Sequence, residues 1–216
     1  MKRILSTIAG LFVVALALFG CSSNAPFPFN QHPFGAMPFG SDKEPWVTLI
    51  DGEKGLENFT RLGDANWLAM HGAIQGDRMN SGKGTAHLVT KNSYADFQIY
   101  AEFWADEEAN SSIFIRATNP KDITSKNSYG VNIYDKRPGP EYGTGAIVNF
   151  AKVDPMPKAA GKWNTFLITA KGPRLTVEMN GVVTADVEDK SFASGPFALQ
   201  YGSGIIKWRK VMVRPL

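Results

Sequence analysis

Few side chains in this sequence are of a kind that does chemistry unaided. They are a single cysteine, Cys21, the three histidines His32, His71 and His87, and an acidic triplet, Asp106-Glu107-Glu108. The triplet has Asn110 beside it and could offer oxygens to calcium. It lacks an ordered ligand loop and reads as a solvated turn. No G-x-S-x-G nucleophile elbow, H-E-x-x-H zinc helix or G-x-G-x-x-G phosphate turn occurs. Gly82-Lys83-Gly84 has neither the glycine spacing nor the Ser/Thr of a phosphate loop and reads as an ordinary turn. The Glu-x-Asp-x-Glu strand of many sandwich-fold glucanases is also missing. Chemistry in this chain must therefore come from side chains gathered across strands.

Those strands are legible as alternation. Over Asp96 to Trp104, Phe97, Ile99, Ala101 and Phe103 fall on one face, and Gln98, Tyr100, Glu102 and Trp104 on the other. Ile113 and Ile115 alternate with Phe114 and Arg116, and Val131 and Ile133 with Asn132 and Tyr134. Phe166, Ile168 and Ala170 continue the pattern, followed by Leu175, Val177 and Met179. Lys171-Gly172-Pro173-Arg174 predicts a turn. Asn180-Gly181 predicts a two-residue hairpin, because both positions need positive φ. Strands over 182–187, 197–201 and 205–213 complete the chain, the last two joined by Gly202-Ser203-Gly204. No amphipathic helix or internal repeat interrupts them. Short strands with Gly, Pro and Asn punctuation predict an all-β, antiparallel two-sheet sandwich or jelly roll.

The N-terminus predicts export. Lys2 and Arg3 precede an apolar run from Ile4 to Phe19 broken only by Ser6, Thr7 and Gly10, the layout of a secretory signal peptide. The run is short for a bilayer span of ~20 apolar residues. It ends in Leu18-Phe19-Gly20-Cys21, which resembles the lipobox of bacterial lipoproteins. That resemblance implies cleavage after residue 20, lipidation of Cys21 and anchoring in a lipid bilayer of the cell envelope. With Ser22 next, it implies the outer membrane in a Gram-negative cell. Removing residues 1–20 leaves 21 basic against 20 acidic residues, since only Lys2 and Arg3 are lost from 23 and 20. A near-neutral chain without basic runs predicts no nucleic-acid partner. Residues 21–45, rich in Pro, Gly and Phe, read as a semi-extended tether. Residues 46–216 suffice for one domain.

Several segments of that domain carry a family resemblance. They are Leu88-Val89-Thr90-Lys91 with Tyr94-Ala95-Asp96-Phe97; Asn110-Ser111-Ser112-Ile113-Phe114-Ile115-Arg116; Tyr129-Gly130-Val131-Asn132-Ile133-Tyr134-Asp135; Gly143 to Ile147; Gly161-Lys162-Trp163-Asn164; Gly195 to Gln200; and Arg209 to Leu216. In this order the domain resembles the 3-keto-disaccharide hydrolase family, also described as 3-keto-glucoside lyase/hydratase. The resemblance implies a concanavalin-like sandwich acting on 3-keto-glycosides. A ketone at C3 acidifies the C2 proton, a base removes it, the C1 substituent leaves, and water adds back. Such a site needs a base, a group that stabilises the enolate oxygen and an acid for the leaving oxygen. The resemblance fixes no cofactor, and a divalent cation could serve the enolate oxygen.

If the strand over 96–104 lies in the same sheet as 112–116 and 129–135, one wet face gathers the site. Arg116 is then the expected anion stabiliser, with Glu102 or Asp135 as the base. Tyr100, Trp104, Asn110, Asn132, Tyr134 and Lys152 would bind carbohydrate. His71 and His87 stand second. A cross-strand ion pair on a solvated face is the other reading of Glu102 and Arg116. Two positions depart from the family pattern. Gly130 stands where the family carries Glu, and Met70-His71 where it carries Glu-Asp. Their loss makes a carbohydrate-binding sandwich without turnover the alternative function.

Overall fold

The computed structural model describes residues 45–216. Cys21, the expected signal peptide and the expected tether lie outside these residues. The described chain forms thirteen strands: β1 (Val47–Asp51), β2 (Phe59–Leu62), β3 (Ala65–Met70), β4 (Ala73–Met79), β5 (Ala86–Thr90), β6 (Phe97–Ala105), β7 (Ser111–Ile115), β8 (Tyr129–Ile133), β9 (Trp163–Lys171), β10 (Arg174–Met179), β11 (Val182–Glu188), β12 (Ala198–Tyr201) and β13 (Ile206–Pro215). Two short 3-10 turns, Leu56–Asn58 and Pro140–Tyr142, are the only helical elements among the described residues.

Every paired strand is antiparallel, and the pairs build two sheets. The larger has eight strands in the order β11-β10-β9-β6-β13-β4-β3, with β1 also paired to β13; the smaller has the order β2-β5-β12-β7-β8. The predicted two-sheet sandwich is the observed fold. Its core comes from the predicted alternation. Phe97, Ile99, Ala101 and Phe103 of β6 and Phe166, Ile168 and Ala170 of β9 meet Ile113 and Ile115 of β7, Val131 and Ile133 of β8, and Leu199 of β12. Burying these faces against each other supplies the main driving force for the fold.

The turns follow their sequence signals. Asn180 and Gly181 have φ of 53° and 80° and join β10 to β11, with Met179 opposite Val182. His71 and Gly72 make a second such hairpin, between β3 and β4, with φ of 53° and 71°. His71 is thereby spent on an exposed turn. Gly82-Lys83-Gly84 forms the exposed connection between β4 and β5. The free edge of β8 is closed by the loop that follows it: Gly145 N donates to Asn132 O and Val148 N to Gly130 O, both at 2.9 Å.

Candidate functional site

The expected single face divides between the two sheets. Strand β6 pairs with β9 and β13 in the larger sheet, whereas β7 and β8 pair in the smaller. Tyr100, Glu102 and Trp104 thus lie on one outer surface of the sandwich, and Asn132 on the opposite one. The alternation within each strand was read correctly; the pairing of strands, which sequence spacing does not encode, was not.

The three residues expected to be catalytic are each bound into the framework. Glu102 accepts the Tyr100 hydroxyl at 2.9 Å and the Arg209 Nε at 2.7 Å. This is the cross-strand ion pair of the other reading, with Arg209 of β13 in the place of Arg116. Burial, together with the Glu102 carboxylate, raises the Tyr100 hydroxyl well above its ordinary pKa. Arg116 directly follows β7 with φ 53°, in the left-handed region, which turns its side chain out of the strand's alternation. It is 2% exposed. Its Nε and Nη2 donate to Ala95 O, Nη1 donates to Gly172 O and Phe192 O, and Nη2 reaches Asp96 at 3.2 Å. Every guanidinium donor is committed, so Arg116 fastens three loops at one end of the sandwich. Asp135 accepts the Thr144 hydroxyl at 2.6 Å and the backbone N–H groups of Ala159 and Ala160 at 2.9 and 3.0 Å. It ties together the long loop after β8.

A different set converges on the outer face of the smaller sheet. In register, Leu62 of β2 stands opposite His87 of β5, His87 opposite Gln200 of β12, and Ser112 of β7 opposite Asn132 of β8. Leu199 pairs with Ile113, which sets Gln200 beside Ser112. His87, Gln200, Ser112 and Asn132 therefore form one polar, uncharged row across four strands. At its right end the row is rigid: Ser112 Oγ lies 3.1 Å from Asn132 Oδ1, and Asn132 Nδ2 donates to Tyr142 O at 2.8 Å. At its left end it is open in hydrogen-bonding terms. His87 is 2% exposed, yet neither ring nitrogen has a partner. Burial pulls its pKa down to about 4, against a smaller upward pull from Asp122. The ring is neutral at physiological pH, with one N–H donor and one acceptor unused.

The adjacent row is apolar. Val89, Ala198 and Phe114 pack with Ala117 and Ile123 of the loop between β7 and β8. The Phe114 ring lies 5.6 Å from the His87 imidazole, edge to face. It also lies over Gly130, where an added Cβ would sit 2.7 Å from Phe114 Cε1. Where the family pattern has a carboxylate, this chain has an aromatic ring resting on bare backbone.

The remaining expected binding residues flank the row. Asn110 forms a bridge with Ser203 just before β7, and half-buried Tyr134 follows β8, its N–H donating to Thr144 Oγ1 at 2.9 Å. Lys152 is exposed, with its ammonium 5.8 Å from the Tyr142 ring centre. Strand reading from sequence missed β5, which supplies His87, because apolar Val89 shares its outward face with His87 and the residue types do not alternate. Gln200 and Ser112 were visible in the quoted segments but carried no charge to draw attention. Among the described residues no three of His, Cys, Asp and Glu gather closely enough to hold a cation. The cation that elimination chemistry could use has no such ligand set among the described residues.

A family model described as the 3-keto-alpha-glucoside-1,2-lyase-like domain matches residues 45–214. Among solved structures, the chain is similar to a candidate glycosyl hydrolase from Parabacteroides distasonis, at 23% identity and a TM-score of 0.64, covering 80% of this chain and 100% of that one. It is also similar to a carbohydrate binding module from Bacillus subtilis, at 18% identity and a TM-score of 0.56, covering 82% and 99%. A Bacillus subtilis protein of unknown function with a galectin-like fold aligns at 10% identity with a TM-score of 0.61, covering 80% and 97%. These likenesses are likenesses of fold. A search of curated proteins finds no relative.

Proposed function

The chain belongs to the 3-keto-alpha-glucoside-1,2-lyase-like domain family, and on that footing we propose that it is a carbohydrate-recognition domain which takes a glucosyl or 3-keto-glucosyl unit on the row His87, Gln200, Ser112 and Asn132. The observation that carries this reading is the buried imidazole of His87, whose two nitrogens have no partner. An orphaned buried polar group costs about 1–3 kcal/mol. His87 is 2% exposed, so a sugar hydroxyl reaches a ring nitrogen only when the covering side chains shift; it then donates to the bare nitrogen or accepts from the N–H. The Phe114 edge then meets the ligand's C–H surface, as aromatic rings do in sugar sites. The fixed Ser112–Asn132 pair sets the register of the ligand, and half-buried Gln200 contributes an amide that can donate and accept.

Recognition is favoured over turnover because the row holds no charged side chain. Elimination from a 3-keto-glycoside needs a base, an enolate stabiliser and an acid. Here Glu102, Arg116 and Asp135 are committed elsewhere, and Phe114 occupies the space above Gly130. His87 alone would have to move the proton, and with a pKa of about 4 it is a weak base toward carbon. The test is to mix the purified chain with a 3-keto-glucoside and follow both heat of binding and aglycone release. Binding with release no faster than in buffer is expected. Release above that background, abolished in His87→Gln, would instead establish cleavage of 3-keto-glycosides by net hydrolysis.

Display from a cell envelope on an acyl group at Cys21 belongs to the same proposal, supported by the Lys2-Arg3 n-region, the apolar run and the Leu18-to-Cys21 lipobox. Incorporation of labelled palmitate that disappears in Cys21→Ala checks it.

A further inference from the structure

We propose that residues 118–127, in the loop between β7 and β8, form a lid that lifts from the outer face of the five-stranded sheet to admit a ligand to His87. The inference rests on the reading of that row as a carbohydrate seat and adds how the seat is reached. His87 is buried although it points away from the core, so a part of the chain other than the second sheet covers it. This loop supplies cover on that side. Its Ile123 joins the apolar cluster of Val89, Phe114, Ala117 and Ala198, the row next to His87. Phe114 of that cluster stands edge to face with the imidazole. Burial lowers the His87 pKa, and Asp122, the neighbour of Ile123, lies close enough to pull it the other way.

The loop is built as one separable piece. Thr118 closes its neck, the N–H and the hydroxyl both donating to Asn127 O, at 2.9 and 3.1 Å. Inside, Asn127 Nδ2 donates to Asp122 O at 2.6 Å, and the Thr124 N–H donates to Asn127 Oδ1 at 2.9 Å. A closed loop bonded to itself in this way keeps its shape when it moves. Its attachments to the sheet are few. Beyond the neck, where Ser128 Oγ donates to Thr124 O at 2.6 Å, one hydrogen bond among the described residues ties 118–127 to the rest of the domain. It runs from Asn149 Nδ2 to Ser125 Oγ at 3.3 Å and is exposed. Of residues 118–127 only Ile123 is buried, while Lys121, Asp122 and Lys126 stand in solvent. One apolar side chain therefore holds the lid down, the condition for local opening without global unfolding. Lifting it lets water or a sugar hydroxyl reach the partnerless His87 nitrogens, which offsets part of the cost of exposing Ile123.

Accessibility of His87 tests the lid without a sugar. The purified chain is treated with diethyl pyrocarbonate at neutral pH, and mass spectrometry follows modification of His87 and of His71 on its exposed turn. In the parent, His87 should react far more slowly than His71. Its rate should be insensitive to urea well below the unfolding transition, the mark of a local opening. In Ile123→Ser, His87 should react roughly tenfold faster, because the apolar burial that holds the lid is lost. The His71 rate and the thermal unfolding midpoint should match the parent's. Saturating 3-keto-glucoside should protect His87 in both proteins. A His87 rate that climbs with urea in step with global unfolding, or that Ile123→Ser leaves unchanged, would overturn the lid. Faster modification in Ile123→Ser without protection by the sugar would support the lid's movement and overturn the reading of the row as a sugar seat.

Discussion

The two outer faces of this sandwich are made by the same rule, strand alternation over a shared core, and they differ in how their polar groups are satisfied. On the eight-stranded side Glu102, Tyr100, Arg209, Gln98, Thr169 and Arg214 pair with one another. That surface is charged, half-exposed and closed to a hydrogen-bonding ligand. On the five-stranded side the row is uncharged and buried, and His87 keeps both ring nitrogens free. On the proposed reading, charge therefore marks the face that does not carry the sugar row. In this fold the ionisable residues that look chemical in the sequence are largely consumed in holding strands and loops together. Apart from the indole N–H groups of Trp46, Trp67 and Trp208, the buried hydrogen-bonding capacity left unused lies with a neutral imidazole.

The largest expected effect separates framework from site. Arg116→Ala strands the carbonyls of Ala95, Gly172 and Phe192 inside the molecule. It should cost about 3–5 kcal/mol in urea unfolding. Arg116→Lys should recover only part, since an ammonium cannot reproduce the fork. Sugar affinity of the folded fraction should be unchanged in both. A next effect comes from His87 and acid. Its pKa is about 4 in the folded chain and near 6.5 when unfolded, so the unfolded state binds more protons between these values. Stability is then full above pH ~6.5 and falls as pH drops toward 4, by on the order of 3 kcal/mol. Thermal unfolding of His87→Leu against pH should lack that limb. An unchanged limb would place the acid sensitivity elsewhere.

Two smaller effects sharpen the contrast. Gly130→Ala pushes a Cβ against the Phe114 ring. It should cost about 1–3 kcal/mol, and combination with Phe114→Leu should recover most of it, a coupling read from a double-mutant cycle. Glu102→Gln should cost about 1 kcal/mol or less, because its partner Arg209 is 32% exposed, and should leave sugar binding alone.

How far the sequence announced this follows from the same contrast. Strands from β6 onward were legible, and so was the Asn180-Gly181 hairpin, because one buried face and one wet face leave a period of two. Strands β1 to β5 were not. Some carry bulges, as at Thr48/Ile50 and Ala65/Trp67, and β5 places apolar Val89 beside His87 on its outward face, which breaks the alternation of residue types. Of the proposed row, only Asn132 was among the residues expected to bind carbohydrate. Asn132 does lie on the face that the family segments mark, with Asn110 and Tyr134 flanking it. Glu102 was assigned to the same surface as Arg116 because parity says which side of its own sheet a residue takes and nothing about which sheet that is. Arg116 escaped because a positive φ at a non-glycine residue has no signature in the residues around it. Gly130 was the informative departure, and the structure explains it by the ring that lies on it.

The most direct test is calorimetric titration of a 3-keto-glucoside into three proteins, the parent, His87→Leu and Glu102→Gln. Loss of binding in His87→Leu alone, with both variants folded, is the result expected from a ligand seated on the five-stranded sheet. Loss in Glu102→Gln with His87→Leu unaffected would put the sugar on the opposite face and contradict it.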